Sequence, residues 1–422
     1  MRLTATAAIL CLATAAPTLA GSLTLIPIPP GLEGYVFNTG VSGDARMVAG
    51  YAPSGGFYWT PDTGVVYIAD ALPPGNGVGG TLKVSDDGTR ICAAHRDLNG
   101  KAIGAIYQPL DAIWIDEPGL GSNCDITRTS AWTLSRDGLV MGGLGYGPSL
   151  CNVQPTRWQV GSATTLGLFR WFGWNARVNG CNANGSVMCG WQAGATGGPW
   201  QGCFWKFNGT SWAQTRLSTA AGVSMGEAQC VSDDGSRVFG VGSFTSGYTE
   251  PYVWTAANKA VSLGATPQGG YTQGFVVACN ASGTQACVFF RPGPTPLPVG
   301  EGYMWIDGQG YVGLEAYAAS KGVAVPQGVH LAMPLDMSGD GLAFCGVARN
   351  DTDGLAYTFV LDLHGSANTC PADLNGDRIV DGADLGLLLG NWGGSGIGDI
   401  NQDGTVNGAD LGLLLGAYGA CP

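Results

Sequence analysis

The chain is short of charge and of histidine, and each shortage excludes a class of function. Charged residues make up 12% of its 422 residues, and 31 acidic against 19 basic side chains give a net charge of -12. Such a chain repels nucleic-acid phosphates and anionic lipids, so we expect neither as a partner. The three histidines, His95, His330 and His364, are far apart in sequence and form no His-x-x-His pair. A zinc hydrolase is therefore not expected.

Long apolar runs are also scarce. Residues 5 to 16 form an apolar run that follows Arg2 and ends near the small residues Ala20 and Gly21. A membrane-spanning helix needs about 20 apolar residues, whereas a short run behind one positive charge is typical of a secretory signal. We predict a signal peptide over residues 1–20, no transmembrane anchor, and a location outside the cell or on its surface.

Glycine is abundant, with 71 residues, and a short polar turn of the type Ser-x-Asp-Gly returns along the chain. Such residues favour turns because their side chains bond the local backbone or tolerate positive φ. The steps between the turns, from 43 to 58 residues, are those of a repeat that forms one propeller blade. The first residues of the seven turns are Ser42, Ser85, Ser135, Asn182, Ser232, Asn280 and Ser338.

Each repeat has an apolar strand before the turn, a second strand after it, an aromatic residue in a third segment and a fourth β-rich segment. Four strands in each of seven units predict an all-β, seven-bladed β-propeller over residues 21–363. The last repeat lacks its fourth strand, and residues 23 to 28 belong to no repeat, so we predict that they close the ring. The alternative, an open stack of sheets, leaves two bare faces. The recurring aromatics, predicted to pack between blades, are Trp59, Trp114, Trp158, Trp205, Trp254, Trp305 and Phe359.

The seven turns, each followed by a glycine-rich strand and an aromatic element, resemble the HAF-type extracellular repeats of secreted bacterial proteins. The resemblance covers about residues 22 to 363. It implies a propeller-like fold and a bacterial source, and it supplies no catalytic residues.

Residues 370–422 follow a linker over 364–369 and carry two copies of a different motif. Oxygen-bearing residues recur at loop positions 1, 3, 5, 9 and 12, and position 7 offers its backbone carbonyl. This spacing wraps a hard cation, and carboxylate-rich cages select Ca²⁺. We predict two Ca²⁺ sites, formed by Asp373, Asn375, Asp377, Ile379, Asp381 and Asp384 and by Asp399, Asn401, Asp403, Thr405, Asn407 and Asp410.

Each loop leads into one leucine-rich helix, an arrangement that resembles a type I dockerin. The resemblance implies that this module binds a cohesin-like or other surface receptor. Loop positions 10 and 11 are Gly-Ala in both copies, where dockerins of known cohesins often carry Ser-Thr, so the resemblance supports calcium binding but not the familiar cohesin specificity. At loop position 6 Arg378 replaces the glycine seen as Gly404, which predicts a weaker first site.

The 13 cysteines include 12 outside the predicted signal peptide, an even number that suits an oxidising compartment. Two pairs flank their turns by the same eight-residue step, and residues that face each other across a hairpin can form a disulfide. We therefore predict the pairs Cys181 with Cys189 and Cys279 with Cys287, and a further disulfide between Cys370 and Cys421 at the ends of the second module.

The sequence gives little indication of an enzyme. A Gly-x-Ser-x-Gly match at residues 222 to 226 precedes a repeat strand, where a nucleophile elbow needs a helix. A glycosidase needs two carboxylates, and the acids outside the repeat pattern form no recognisable pair in the sequence. We predict a non-enzymatic binding protein, with a polysaccharide hydrolase or lyase as the alternative. The irregular acids are Asp111, Asp116, Glu117, Glu227, Glu250, Glu301 and Glu315.

Aromatic residues outside the repeat pattern crowd the third and fourth repeats. Flat rings of this kind stack on sugars, so we predict a carbohydrate-facing surface there. The alternative is that they fill a wide junction between two blades. The residues are Trp171, Phe172, Trp174, Trp191 and Trp200.

Overall fold

The structure is a computed structural model. It describes the whole chain except residues 1–20, 29–36, 54, 73–79, 118, 121–128, 148–152, 163–164, 171–172, 195–199, 245–246, 266, 268, 294–298, 365–369, 375–378, 395–397, 402–404 and 421–422.

Seven four-stranded antiparallel sheets form the predicted seven-bladed propeller. Blades 1 to 3 consist of β2 (Phe37–Val41), β3 (Val48–Ala52), β4 (Gly55–Thr60), β5 (Gly64–Tyr67); β6 (Lys83–Val84), β7 (Ile91–Arg96), β8 (Ala102–Gln108), β9 (Ile113–Asp116); and β10 (Thr129–Leu134), β11 (Val140–Tyr146), β12 (Val153–Gln159), β13 (Thr165–Gly167). Blades 4 and 5 consist of β14 (Ala176–Cys181), β15 (Val187–Ala193), β16 (Trp200–Phe207), β17 (Trp212–Arg216); and β18 (Ala228–Val231), β19 (Val238–Gly242), β20 (Glu250–Thr255), β21 (Lys259–Ser262). Blades 6 and 7 consist of β22 (Gln273–Cys279), β23 (Gln285–Arg291), β24 (Glu301–Ile306), β25 (Gly310–Gly313); and β26 (Val329–Met337), β27 (Ala343–Asn350), β28 (Leu355–Asp362) with β1 (Ser22–Pro27).

The N-terminal strand closes the ring, as predicted. β1 pairs antiparallel with β28, with Leu23 opposite Leu361 and Leu25 opposite Phe359, so the last blade takes its outer strand from the start of the chain. Strand β2 of blade 1 in turn contacts β26 and β27 of blade 7. Because both ends of the propeller segment lie in one blade, β1 covers the outer edge of β28 and gives the last blade four strands like the others.

The recurring aromatics pack between blades, and all but one of them lie in a third strand. The exception is Trp114, which lies in β9, the fourth strand of blade 2, and donates to the backbone of Ala69 (3.3 Å). Trp158 of blade 3 is fully buried against Cys92 and Ile106 of blade 2. Trp205 and Phe359 are also fully buried. Replacing such a residue by alanine costs about 3–5 kcal/mol, so these side chains are a large part of what holds neighbouring blades together.

The repeated turn is held by its own side chains. The Oγ of Ser85 accepts a hydrogen bond from the backbone N–H of Arg90 (3.1 Å) and donates one to Asp87 (2.6 Å), while Gly88 takes a φ of 70°. In all seven turns the first residue accepts from the backbone N–H five positions on. The acids that recur with the turn therefore serve hairpin geometry.

The predicted disulfides within the turns are absent, because the strand register separates the sulfurs. Cys189 lies opposite Gly180, and Cys181 lies opposite Met188, so the two cysteines are offset by one residue. Neighbouring residues on a strand point to opposite faces of the sheet. Cys279 and Cys287 are offset in the same way, and all four are free thiols.

Three short helices complete the described chain. Helix α1 (Leu314–Ser320) lies between blades 6 and 7, inside the longest repeat step, and the sequence patterns did not predict it. Helices α2 (Gly382–Gly390) and α3 (Gly408–Gly416) follow the two predicted calcium loops, and β29 (Ile379–Val380) pairs with β30 (Gly419–Ala420). Within the described residues, we find no helix with the length and apolarity needed to cross a bilayer.

Candidate functional site

The innermost strands of the seven blades surround a central channel of about 340 Å³. In six of them a β-bulge falls three residues before the turn, at Thr39, Trp132, Asn179, Gln229, Val277 and Leu335. A bulge re-aims the side chain of its extra residue, and all six line the channel. The character of the channel is therefore set by these positions and their neighbours.

The seven turns lie at one mouth of the channel and hydrogen-bond to one another. The backbone N–H of Gly43 donates to Asp86, and that of Asp86 donates to Arg136 (2.9 and 2.8 Å). On the other side of the ring, Asp233 donates to Ala281 (2.8 Å). Each of these residues is the second residue of its turn, so the same turn position forms the hydrogen-bonded rim of this channel mouth.

Arg136 crosses this mouth. Its guanidinium pairs with Asp233 of blade 5 and lies 3.6 Å from Asp86 of blade 2. It also passes Gly339 of blade 7, where a Cβ would lie 2.6 Å from the Arg136 Nε. Burial raises the pKa of Asp86 to about 7, against the opposing effect of Arg136. Arg136 therefore links several blades and narrows the mouth.

An ion pair lies inside the channel. Lys83 Nζ of blade 2 is 2.7 Å from Asp336 Oδ1 of blade 7, and the second oxygen of Asp336 accepts from the backbone N–H of Val41 (3.2 Å). Gly40 of blade 1 packs against the backbone of Lys83, where a Cβ would lie 2.8 Å from the Lys83 Cα. Burial lowers the pKa of Lys83, but Asp336 outweighs it, so the net pKa is raised. Glycine at position 40 thus lets the innermost strands of blades 1 and 2 approach closely.

A stack of flat side chains leads outward from the channel at the opposite mouth, where the innermost strands begin. The Arg177 guanidinium lies 3.5 Å from the ring centre of Trp132 and 5.5 Å from that of Trp191. Trp191 stacks on Trp200 with centres 4.3 Å apart and planes 12° apart. We call Trp132, Arg177, Trp191 and Trp200 the aromatic ladder. It begins inside the channel and ends at Trp200, which is 52% exposed.

Polar side chains fix the ladder. Arg177 donates to Asn179 (2.7 Å) and to Glu227 (3.1 Å), and Asn179 also donates to Glu227 (2.9 Å). Burial lowers the pKa of Arg177 to about 10, with Glu227 acting in the opposite direction. Among the described residues, the buried indole N–H groups of Trp132 and Trp191 have no hydrogen-bond partner. The ladder therefore combines a rigid stacking face with spare hydrogen-bond donors.

The structure places the predicted aromatic residues in different environments. Trp191 is buried beneath Trp200, and Trp174 is 47% exposed in the segment before β14. Trp171 and Phe172 lie outside the described residues. The sequence patterns missed Trp132 and Arg177. Trp132 could have been found from the sequence, because it lies three residues before the first residue of its turn, where the other six repeats have a smaller side chain.

The irregular acids are dispersed over several blades. Asp116 contacts His95 (2.6 Å), and Glu250 accepts from Ser262 (2.6 Å). Glu117 is buried, and burial raises its pKa to about 7. Glu301 and Glu315 instead meet at the junction of blades 6 and 7, where His330 joins them.

The described parts of the two predicted calcium loops have matching geometry. The buried carboxylate of Asp384 accepts from the backbone of Leu374 (2.7 Å) and of Asp381 (2.8 Å). Asp410 does the same with Ile400 and Asn407 (both 2.8 Å), and the Asn407 N–H is the largest cause that lowers its pKa. The residue at loop position 12 thus ties the start of each loop to the residue that caps its helix.

Three of the predicted calcium ligands, Asn375, Asp377 and Asp403, lie outside the described residues. Helices α2 and α3 pack through Leu388 and Leu414 onto a small core with Val380 and Val406. Cys370 is disulfide-bonded, and its predicted partner Cys421 lies outside the described residues.

No family model and no curated protein matches this chain. Among solved structures, it is similar to the β-propeller domain of the Trilobed protease from Pyrococcus furiosus, with 10% identity, a TM-score of 0.46, and coverage of 79% of this chain and 96% of that one. It is also similar to TolB from Acinetobacter baumannii, with 10% identity, a TM-score of 0.41, and coverage of 79% and 81%. Likenesses this weak assign no activity, and the propeller rests on the chain's own strand pairing.

Proposed function

We propose that the chain is a secreted, non-enzymatic propeller that binds carbohydrate and is displayed through a calcium-binding module. The observation that carries the binding part is the aromatic ladder, because it ends in an exposed indole held rigidly by a stacked partner. A stacking face whose orientation is fixed in advance loses little entropy when a sugar ring packs on it.

The polar groups around the ladder suit a hydroxylated ligand. Asn179, Glu227 and Arg177 form one hydrogen-bonded group beside the ladder, and Arg177 and Asn179 line the channel wall. Protein sites for sugars need such directional donors and acceptors beside an apolar face. The net charge of -12 favours a neutral or cationic polysaccharide over an anionic one.

The display part of the proposal rests on residues 370–422 and on the resemblance to type I dockerins. The two loop-and-helix copies, with matching capping boxes at Asp381 and Asn407, support one cation in each loop. A cohesin-like or other surface receptor is the partner that this module implies. The HAF-type resemblance of the repeats and the N-terminal apolar run support secretion from a bacterium.

The binding part is tested by retention on insoluble polysaccharides. Trp200→Ala should weaken retention at least about tenfold, or about 1.4 kcal/mol, while circular dichroism stays native. Trp392→Ala is the matched control, because Trp392 is 49% exposed and lies outside the ladder. Equal retention of all three proteins would contradict the proposal. If Trp200→Ala instead retained binding and the chain released reducing sugars, the hydrolase alternative would replace it.

The calcium part is tested by titration calorimetry of the metal-free chain. We expect two Ca²⁺ per chain, with the first-loop site lost in Asp373→Ala and the second-loop site lost in Asp399→Ala. No heat at millimolar Ca²⁺ would contradict this part without affecting the carbohydrate proposal.

A further inference from the structure

Three metal-ligating side chains converge at the junction of blades 6 and 7. Glu301 begins β24, Glu315 lies in the first turn of α1, and His330 is the second residue of β26. One ligand atom from each lies within 4.8 Å of the other two. We propose that these residues bind one Zn²⁺-like transition-metal ion, separate from the two calcium loops.

The imidazole is oriented for this role. His330 Nε2 lies 3.2 Å from Asp351 Oδ2, while Nδ1 faces Glu301 Oε2 at 3.7 Å. A proton on Nε2 that is donated to Asp351 leaves the Nδ1 lone pair directed at the cluster. A carboxylate behind the second ring nitrogen is the usual support of a metal-binding histidine.

Each of the two carboxylates accepts a hydrogen bond through one oxygen, which leaves its other oxygen available to a metal ion. Glu301 Oε1 accepts from Arg349 Nη2 (2.6 Å), and Glu315 Oε1 accepts from the backbone N–H of Leu331 (2.7 Å). Each ligand is thus fixed from outside the cluster by a different element. This arrangement of outer contacts prepares a site better than three unsupported side chains do.

The ligand set selects the class of metal. One imidazole nitrogen and two carboxylate oxygens suit Zn²⁺ and similar ions, whereas Ca²⁺ prefers oxygen alone. With a neutral imidazole, Glu301, Glu315 and Asp351 carry three negative charges against one on Arg349, an excess that a divalent ion neutralises. Three protein ligands leave a fourth position for water or for an oxygen of a bound molecule.

The alternative is a purely structural cluster, in which the contacts among Glu301, Glu315 and His330 only join neighbouring elements. The two differ in a measurable way, because only a metal site binds one Zn²⁺ through these three side chains.

The test is Zn²⁺ titration of the full chain with Ca²⁺ saturating the oxygen loops. We expect one Zn²⁺ per chain and a rise in the unfolding temperature. His330→Ala and Glu315→Gln should each weaken Zn²⁺ binding at least about tenfold, and Asp351→Asn about 10- to 100-fold. Glu315→Gln keeps an oxygen for the Leu331 N–H, so it tests the ligand role even if His330→Ala fails to fold.

His95→Ala is the matched control, because His95 contacts Asp116 in blade 2 and should leave Zn²⁺ binding unchanged. Zinc held by the buried thiols would survive both ligand variants, and that result would overturn the proposal. So would the absence of a one-to-one Zn²⁺ complex in the wild-type chain below about 1 mM, which corresponds to about -4 kcal/mol.

Discussion

The hydrogen bonds of His364 allow a quantitative test of what stabilises the end of the last blade. His364 lies two residues after the end of β28, and its ring contacts Asp362 through Nδ1 (2.5 Å) and Asp340 of the seventh turn through Nε2 (3.0 Å). Burial alone lowers the pKa of His364, but the hydrogen bonds to these two acids outweigh it and raise the pKa to about 9, from 6.5. The imidazolium therefore links the end of the last strand to the turn of the same blade.

The size and sign of the effect follow from the two pKa values. At about 1.4 kcal/mol for each pH unit between them, the charged histidine stabilises the folded propeller by about 3 kcal/mol. Because the folded-state pKa is the higher one, this stability is fully present below pH 6.5 and is lost as the pH rises through 9.

The assay is urea unfolding of the wild-type chain and of His364→Gln across this range. The variant should be less stable by about 2–3 kcal/mol at pH 6, and the difference should approach zero by pH 10. Taking the difference at each pH removes the contribution of other titrating groups. A difference that stays constant from pH 6 to pH 10 would refute the assigned role of the imidazolium.

Other predictions concern the turns, the channel mouth and the thiols. Ser135→Ala removes two hydrogen bonds of a fully buried side chain and should lower the free energy of unfolding by about 1–3 kcal/mol. Ser236 is exposed, so the control Ser236→Ala should change the free energy of unfolding by under about 0.5 kcal/mol. Arg136→Met removes the cation that lowers the pKa of Asp86, which burial raises to about 7. Calorimetry should therefore find this variant gaining stability, relative to wild type, as the pH falls from 8 to 5. Ellman titration should find at least eight thiols that react in denaturant and remain unreactive in the native chain, and fewer than eight would mean that some are oxidised.

The repeat architecture was predictable because one local signal recurs in every unit. The seven turns set the blade count, and the unpaired residues 23 to 28 indicated how the ring closes. Both inferences use chain order and spacing alone. Spacing fails for the cysteine pairs, since it does not reveal that the turn sets a register with Cys181 opposite Met188 and Cys189 opposite Gly180.

The sites were less predictable because their residues come from different units. Trp132 and Arg177 belong to neighbouring blades, and only the packing of blade 3 against blade 4 brings the guanidinium onto the indole. Likewise, His330 gave no metal signal in the sequence, since its partners Glu301 and Glu315 lie on separate elements of the preceding repeat. Spacing rules can propose sites within one segment, such as the two predicted calcium loops, and miss groups of residues assembled between segments.

The claim that the ladder binds carbohydrate is tested most directly by a glycan array probed with the full chain in saturating Ca²⁺. We expect a defined set of glycans to bind the wild-type chain and the Trp392→Ala control equally, and Trp200→Ala to lose that set. Binding that is the same for all three proteins, or no glycan bound by the wild-type chain, would contradict it.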